Sequence, residues 1–162
     1  MSDSVEKARP SRQRFDLYDA RLCLVAARFN EDIVAQLIAG ARRMLNEHGI
    51  ADTAIKLVRV PGAFELPLAI KKLSAAGDYD GFIALGAVIR GGTPHFEYVS
   101  GECFSGISRV MYESEVPVGM GVLTVDTIEQ AVERSGDNAE NKGAEAALAT
   151  LEMISLLRDL DH

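Results

Sequence analysis

The chain has 162 residues, 48% of them hydrophobic and 25% charged, with a formal net charge of −7. That length suits one soluble globular domain with a full core, and an acidic balance argues against nucleic acid, whose phosphates need a basic face. No apolar run approaches the roughly 20 residues of a membrane span.

The first 14 residues are polar and lack the hydrophobic region of a signal peptide, which points to a cytoplasmic protein. Their basic cluster "KARPSRQR" reads as part of a disordered arm over residues 1–14. A single α/β domain is expected over 15–162. The two cysteines, Cys23 in a strand-like run and Cys103 on an apolar helical face, read as buried reduced thiols. No CxxC pair or His/Cys cluster suggests a metal.

"RLCLVAA" at 21–27 predicts a buried strand, followed by Arg28, Phe29 and Asn30. Ile33, Val34, Leu37, Ile38, Ala41, Met44 and Leu45 then fall at helical spacing up to Gly49. "AIKLVRV" at 54–60 alternates like a strand with one wetter face, and "PGAFE" leads into a helix carrying Leu66, Ala69, Ile70 and Leu73. "GFIALGAVI" at 81–89 is the third strand, followed by a helix over 95–112. "VPVGMGVLT" at 116–124 is the fourth. "DTIEQAVERSG" carries the capping-box spacing Thr127-x-x-Gln130, and a last helix runs from about 139 to 158. Four strand–helix units and a final helix imply a four-stranded parallel sheet in a three-layer αβα sandwich of flavodoxin-like type.

Ligands of such sheets bind beyond the carboxyl ends of the strands, and there the chain places its unusual residues. Gly91 and Gly92 allow backbone N–H groups close to a ligand, Thr93 suits a helix cap and Pro94 the first helical position. The helix start favours an anion such as phosphate, although a glycine-rich turn before a capped helix needs no ligand. His95, in the first turn, carries the side chain whose charge changes near neutrality, suited to proton transfer beside that anion. Phe29 is either a hydrophobic staple next to a capping Asn30 or a stacking platform for a planar heterocycle. Glu65 either compensates a helix dipole or holds the hydroxyls of a polyol. Arg134 suits the end of its helix, whereas Lys142 at a helix start is slightly unfavourable and for that reason suggestive. His48 and His162 attract no functional reading.

"ARFN", "VPGAFELP", "GAVIRGGTPHFEYV", "GVLTVDTIEQAVERSG" and "NKG", in this order over about residues 21–158, resemble the 6,7-dimethyl-8-ribityllumazine synthase family of riboflavin biosynthesis. The resemblance implies a transferase without metal or organic cofactor. It condenses 5-amino-6-(D-ribitylamino)uracil with 3,4-dihydroxy-2-butanone 4-phosphate, releasing phosphate and water. It implies that Phe29 stacks on the pyrimidine and that Ala63, Phe64 and Glu65 hold the ribityl chain. Val88 and Ile89 would bound the ring site, Gly92, Thr93 and Arg134 bind phosphate, and His95 carry protons, with Lys142 nearby. Met120 stands where many members have an aromatic residue. The implied unit is a homopentamer whose sites lie between subunits, with an association with riboflavin synthase as a further implied partner. Glu140 stands where capsid-forming members carry glycine, which leaves a sixty-subunit capsid open. Two other readings compete: a flavin- or lumazine-binding module without catalysis, and a shell subunit.

Overall fold

The computed structural model describes residues 14–161; the expected arm, apart from Arg14, lies outside them. Four strands, β1 (Leu22–Ala27), β2 (Ile55–Val60), β3 (Gly81–Ile89) and β4 (Val118–Val125), form one parallel sheet in the order β2-β1-β3-β4. Five α-helices follow the strands: α1 (Glu31–Glu47), α2 (Leu66–Ala75), α3 (His95–Ser114), α4 (Ile128–Ser135) and α5 (Lys142–Leu160).

β1 is buried along its whole length, whereas β2, at an edge, buries only its two ends. This is the wetter face read from its alternation. Alternate residues of the central strands feed two cores. Leu22, Leu24, Ile83 and Leu85 pack with α1, α4 and α5. Cys23, Val25, Phe82 and Ala84 pack with α2 and α3. The result is the expected α/β three-layer arrangement. Both cysteines are free and fully buried, and burial pushes their thiols up to about 11 for Cys23 and about 12 for Cys103. They are inert at neutral pH.

Three local expectations change. β4 begins at Val118 rather than 116, because Pro117 has no N–H for the ladder, although its carbonyl accepts from Phe82 N–H at 2.9 Å. α5 begins at Lys142 rather than about 139, because the Asn141 side chain caps it, accepting from Ala144 N–H at 3.0 Å. Asn30 does stand before α1, but in the left-handed region (φ 60°) and without a side-chain cap; its Nδ2 donates instead to Ala87 O at 2.8 Å. That bond ties the end of β1 to the end of β3.

Between these two strands the chain reverses its direction of winding: β2 lies on one side of β1, and β3 and β4 on the other. Such a switch point leaves a crevice beyond the strand ends.

Candidate active site

The crevice is a cavity of about 820 Å³, lined by residues that follow β1, β2 and β3. It brings together Phe29, Ala63, Phe64, Glu65, Val88, Ile89, Thr93 and His95. Each comes from a different part of the sequence, and each stands at a strand end or helix start.

Phe29 N–H donates to Pro61 O at 3.2 Å and Arg28 N–H to Val60 O at 2.8 Å, so the corner after β1 is stitched to the corner after β2. A hydrophobic staple would press Phe29 onto Val34. Phe29 is instead 72% exposed, and most of its ring is free of that duty. Phe64 is 59% exposed beside it, while Ala63 is buried. Glu65 ends a short 3-10 turn and stands at the N-terminus of α2; its Oε2 lies 3.4 Å from where a Cβ on Gly62 would sit. A side chain at Gly62 would crowd that carboxylate.

At the third corner, α3 starts at His95, with Pro94 as its capping residue and without any side-chain cap. Thr93 therefore does not cap the helix, and Pro94 stands one place earlier than expected. Thr93 and His95 are both exposed and both line the cavity. Neither Gly91 nor Gly92 has a positive φ, and a Cβ on either would meet nothing within 4 Å. The fold of the chain itself does not demand glycine there.

Tyr98, Val99 and Glu102 line the same cavity. They lie three, four and seven residues beyond His95, on one face of α3. Helical spacing from His95 would have found them, but the apolar pattern of α3 draws attention to its opposite, buried face. Asn30 and Pro61 also belong to the lining.

Gly92, Met120, Arg134 and Lys142 are not among the lining residues. Met120 is half-buried in mid-strand, paired with Ala84 and packed against the α2–α3 core. Arg134 Nη1 donates to Gln130 O at 3.0 Å and lies 3.6 Å from Glu133 Oε2. Lys142 Nζ donates to Glu145 Oε1 at 3.0 Å. That pairing offsets the small dipole penalty that made Lys142 suggestive. The charged side chains lining the cavity are thus the carboxylates Glu65 and Glu102, with titratable His95 and no lysine or arginine. Among the described residues no three His, Cys, Asp or Glu side chains gather as a metal site, and no helix is long and apolar enough to cross a membrane.

The family model of 6,7-dimethyl-8-ribityllumazine synthase matches residues 19–158. A 6,7-dimethyl-8-ribityllumazine synthase from Halorhodospira halophila (strain DSM 244 / SL1) is 57% identical over 145 residues, covering 90% of this chain and 93% of that protein. A crystal structure of a GDP-L-fucose synthetase from Naegleria fowleri bound to NADP aligns with a TM-score of 0.46 at 15% identity, covering 96% of this chain and 49% of that one. The chain spans about half of that structure, and a likeness at this level carries no functional argument. The family match runs through all four strands and all three corners of the cavity, and this chain belongs to the 6,7-dimethyl-8-ribityllumazine synthase family.

Proposed function

We propose that the chain makes 6,7-dimethyl-8-ribityllumazine from 5-amino-6-(D-ribitylamino)uracil and 3,4-dihydroxy-2-butanone 4-phosphate, releasing phosphate and water. One observation carries this reading: an exposed aromatic ring, a carboxylate, a glycine-rich helix start and a histidine open into one cavity at the switch point of the sheet. Phe29 offers its face to the pyrimidine and Glu65 accepts hydrogen bonds from ribityl hydroxyls. Ala63 and Phe64 flank the ribityl chain, and Val88 and Ile89 bound the ring. The N–H groups of Gly92 and Thr93 face the phosphate, which explains glycines that the fold does not require.

His95 carries protons next to that phosphate. Imine formation between the 5-amino group and the ketone expels water. Phosphate elimination and ring closure follow, and each step moves a proton. Holding both substrates in one cavity supplies much of the remaining rate.

A phosphate dianion placed among Glu65, Glu102 and His95 needs a cation that the cavity lining lacks. Arg134 of a neighbouring subunit fills that need, with Lys142 and Met120 arriving on the same neighbour. Supporting this, Ile128 and Val132 stand one turn apart on α4 at 56% and 58% exposure, an apolar stripe on the helix that carries Arg134. A head-to-tail ring repeats one such heterologous contact, and a homopentamer is the unit we assign. The protein is placed in the cytoplasm, as one domain from residue 15 onward.

The test is direct: purified protein mixed with both substrates develops the lumazine absorbance and releases phosphate. Lumazine binding without product would favour the non-catalytic module. Phe29→Ala should weaken the pyrimidine by about 1–3 kcal/mol, by analogy with base–aromatic stacking, and Phe29→Trp should keep the affinity. Calorimetry showing equal binding by the two variants would return Phe29 to a purely local role.

A further inference from the structure

Arg90 follows the last residue of β3, and its guanidinium touches three groups. Nε donates to Asp126 Oδ1 at 2.8 Å, Nη1 donates to Glu97 Oε1, and Cζ sits 4.4 Å from the centroid of the Phe96 ring. Its own backbone N–H donates to Val125 O at 2.9 Å. One residue thereby joins the end of β3, the first turn of α3 and the turn between β4 and α4. The Asp126 anchor is itself seated, since the N–H groups of Asp126 and Thr127 both donate to Gln130 Oε1 in the capping box of α4.

The segment spanned by this grip is Gly91–His95. It has little else to hold it: Thr93 makes no cap, and the two glycines have no side chains to pack. Single exposed ion pairs contribute little. Here a planar fork meets two carboxylates and a ring at once, so the geometry is over-determined. Arg90 is also poorly placed to serve as a counter-ion. It does not line the cavity, and its cluster holds one positive charge against the two carboxylates of Asp126 and Glu97.

We propose that Arg90 is a positioning residue: by gripping Glu97, Phe96 and Asp126 it sets the Gly92 and Thr93 N–H donors and His95 in register for the phosphate-bearing substrate. This rests on reading the 91–95 corner as the phosphate site. Glu97 makes the sign of the test informative. Removing a carboxylate near a bound phosphate should by charge alone improve phosphate binding. Removing half of a clamp should impair it.

Arg90→Gln is expected to raise the KM for the butanone phosphate roughly tenfold, the scale of a small misplacement, with the pyrimidine KM changed less than about twofold. Glu97→Gln should raise the same KM, and the double variant should be no worse than the poorer single, because both act on one contact. Arg90→Lys should recover part of the loss, keeping charge and losing the fork. Hydrogen exchange supplies a readout independent of turnover: amide protection at Tyr98 and Val99, early in α3, should fall in both single variants. A Glu97→Gln protein that binds the butanone phosphate more tightly would overturn the proposal in favour of direct charge. So would equal KM rises for both substrates, or unchanged protection at Tyr98 and Val99. Absence of product from the wild-type protein would sink the functional reading instead, and the exchange measurement would still decide the clamp.

Discussion

Rings assembled from an equal mixture of His95→Ala and Arg134→Ala subunits should recover activity that neither variant has alone. His95 lines the cavity and Arg134 does not. Arg134 sits on α4, with its guanidinium on its own helix. If the arginine belongs to the neighbour's site, a working site needs His95 from one subunit and Arg134 from the next. In random equal rings about a quarter of sites meet both conditions. His95→Ala alone should lower kcat by something like 10–10⁴-fold, the low end applying if proximity dominates. Arg134→Ala alone should raise the KM for the butanone phosphate strongly and leave pyrimidine affinity nearly unchanged. Co-refolding the two and assaying product formation is the measurement. Wild type mixed with the double variant is the control, since its intact sites follow the same combinatorics. Mixed single variants as inactive as either parent, beside an active control, would place both residues in one subunit's site.

Asn141→Ala should cost about 3 kcal/mol of stability, among the larger effects of a single substitution in this chain. Asn141 is 2% exposed and its side chain is fully committed. Oδ1 caps α5, and Nδ2 donates to Ser135 O at 2.9 Å, Gly136 O at 3.0 Å and Gln36 O at 3.2 Å. It thus joins the end of α4, the start of α5 and the flank of α1. Loss of the cap contributes about 1 kcal/mol, and carbonyls left without a donor in a closed space about 1–3 kcal/mol more. Asn141→Ser should restore the cap share only, because its hydroxyl is too short to serve the carbonyls. Denaturant unfolding at fixed protein concentration checks both, the concentration mattering because assembly adds stability by mass action. A loss below about 1 kcal/mol in Asn141→Ala would show that only the cap counts. The neighbourhood is built around this side chain: a Cβ on Gly40 would collide with it, and one on Gly143 would collide with the Leu37 carbonyl. Because Arg134 lies in the last turn of α4 and Lys142 opens α5, Asn141 also sets how these two cations stand relative to each other.

Much of the layout was legible because its signals are local. Apolar runs such as 81–89 can only be strands buried on both faces, and helical spacing marks α1 and α5. The capping box Thr127-x-x-Gln130 is a local contact, and it forms as its spacing implies. The caps that failed were also local readings, but their side chains had better uses elsewhere. Asn30 reaches Ala87, 57 residues away, and Asn141 serves carbonyls on two other helices. Sequence spacing is blind to such partners.

The sequence by itself determined the alternation of strands and helices, the parallel sheet, and the gathering of Phe29, Glu65, Thr93 and His95 at strand ends. Those follow from periodicity and from the fact that consecutive strand–helix units all turn the same way. Only the tertiary structure decided that β1 and β3 lie side by side and that their corners share one cavity. It also decided that Arg134, Lys142 and Met120 face away from that cavity, and that Arg90 spends its charge on Asp126 and Glu97. These depend on strand order and on contacts between residues far apart in the chain. Their geometry is fixed by packing against two cores, and no window of neighbouring residues contains that information.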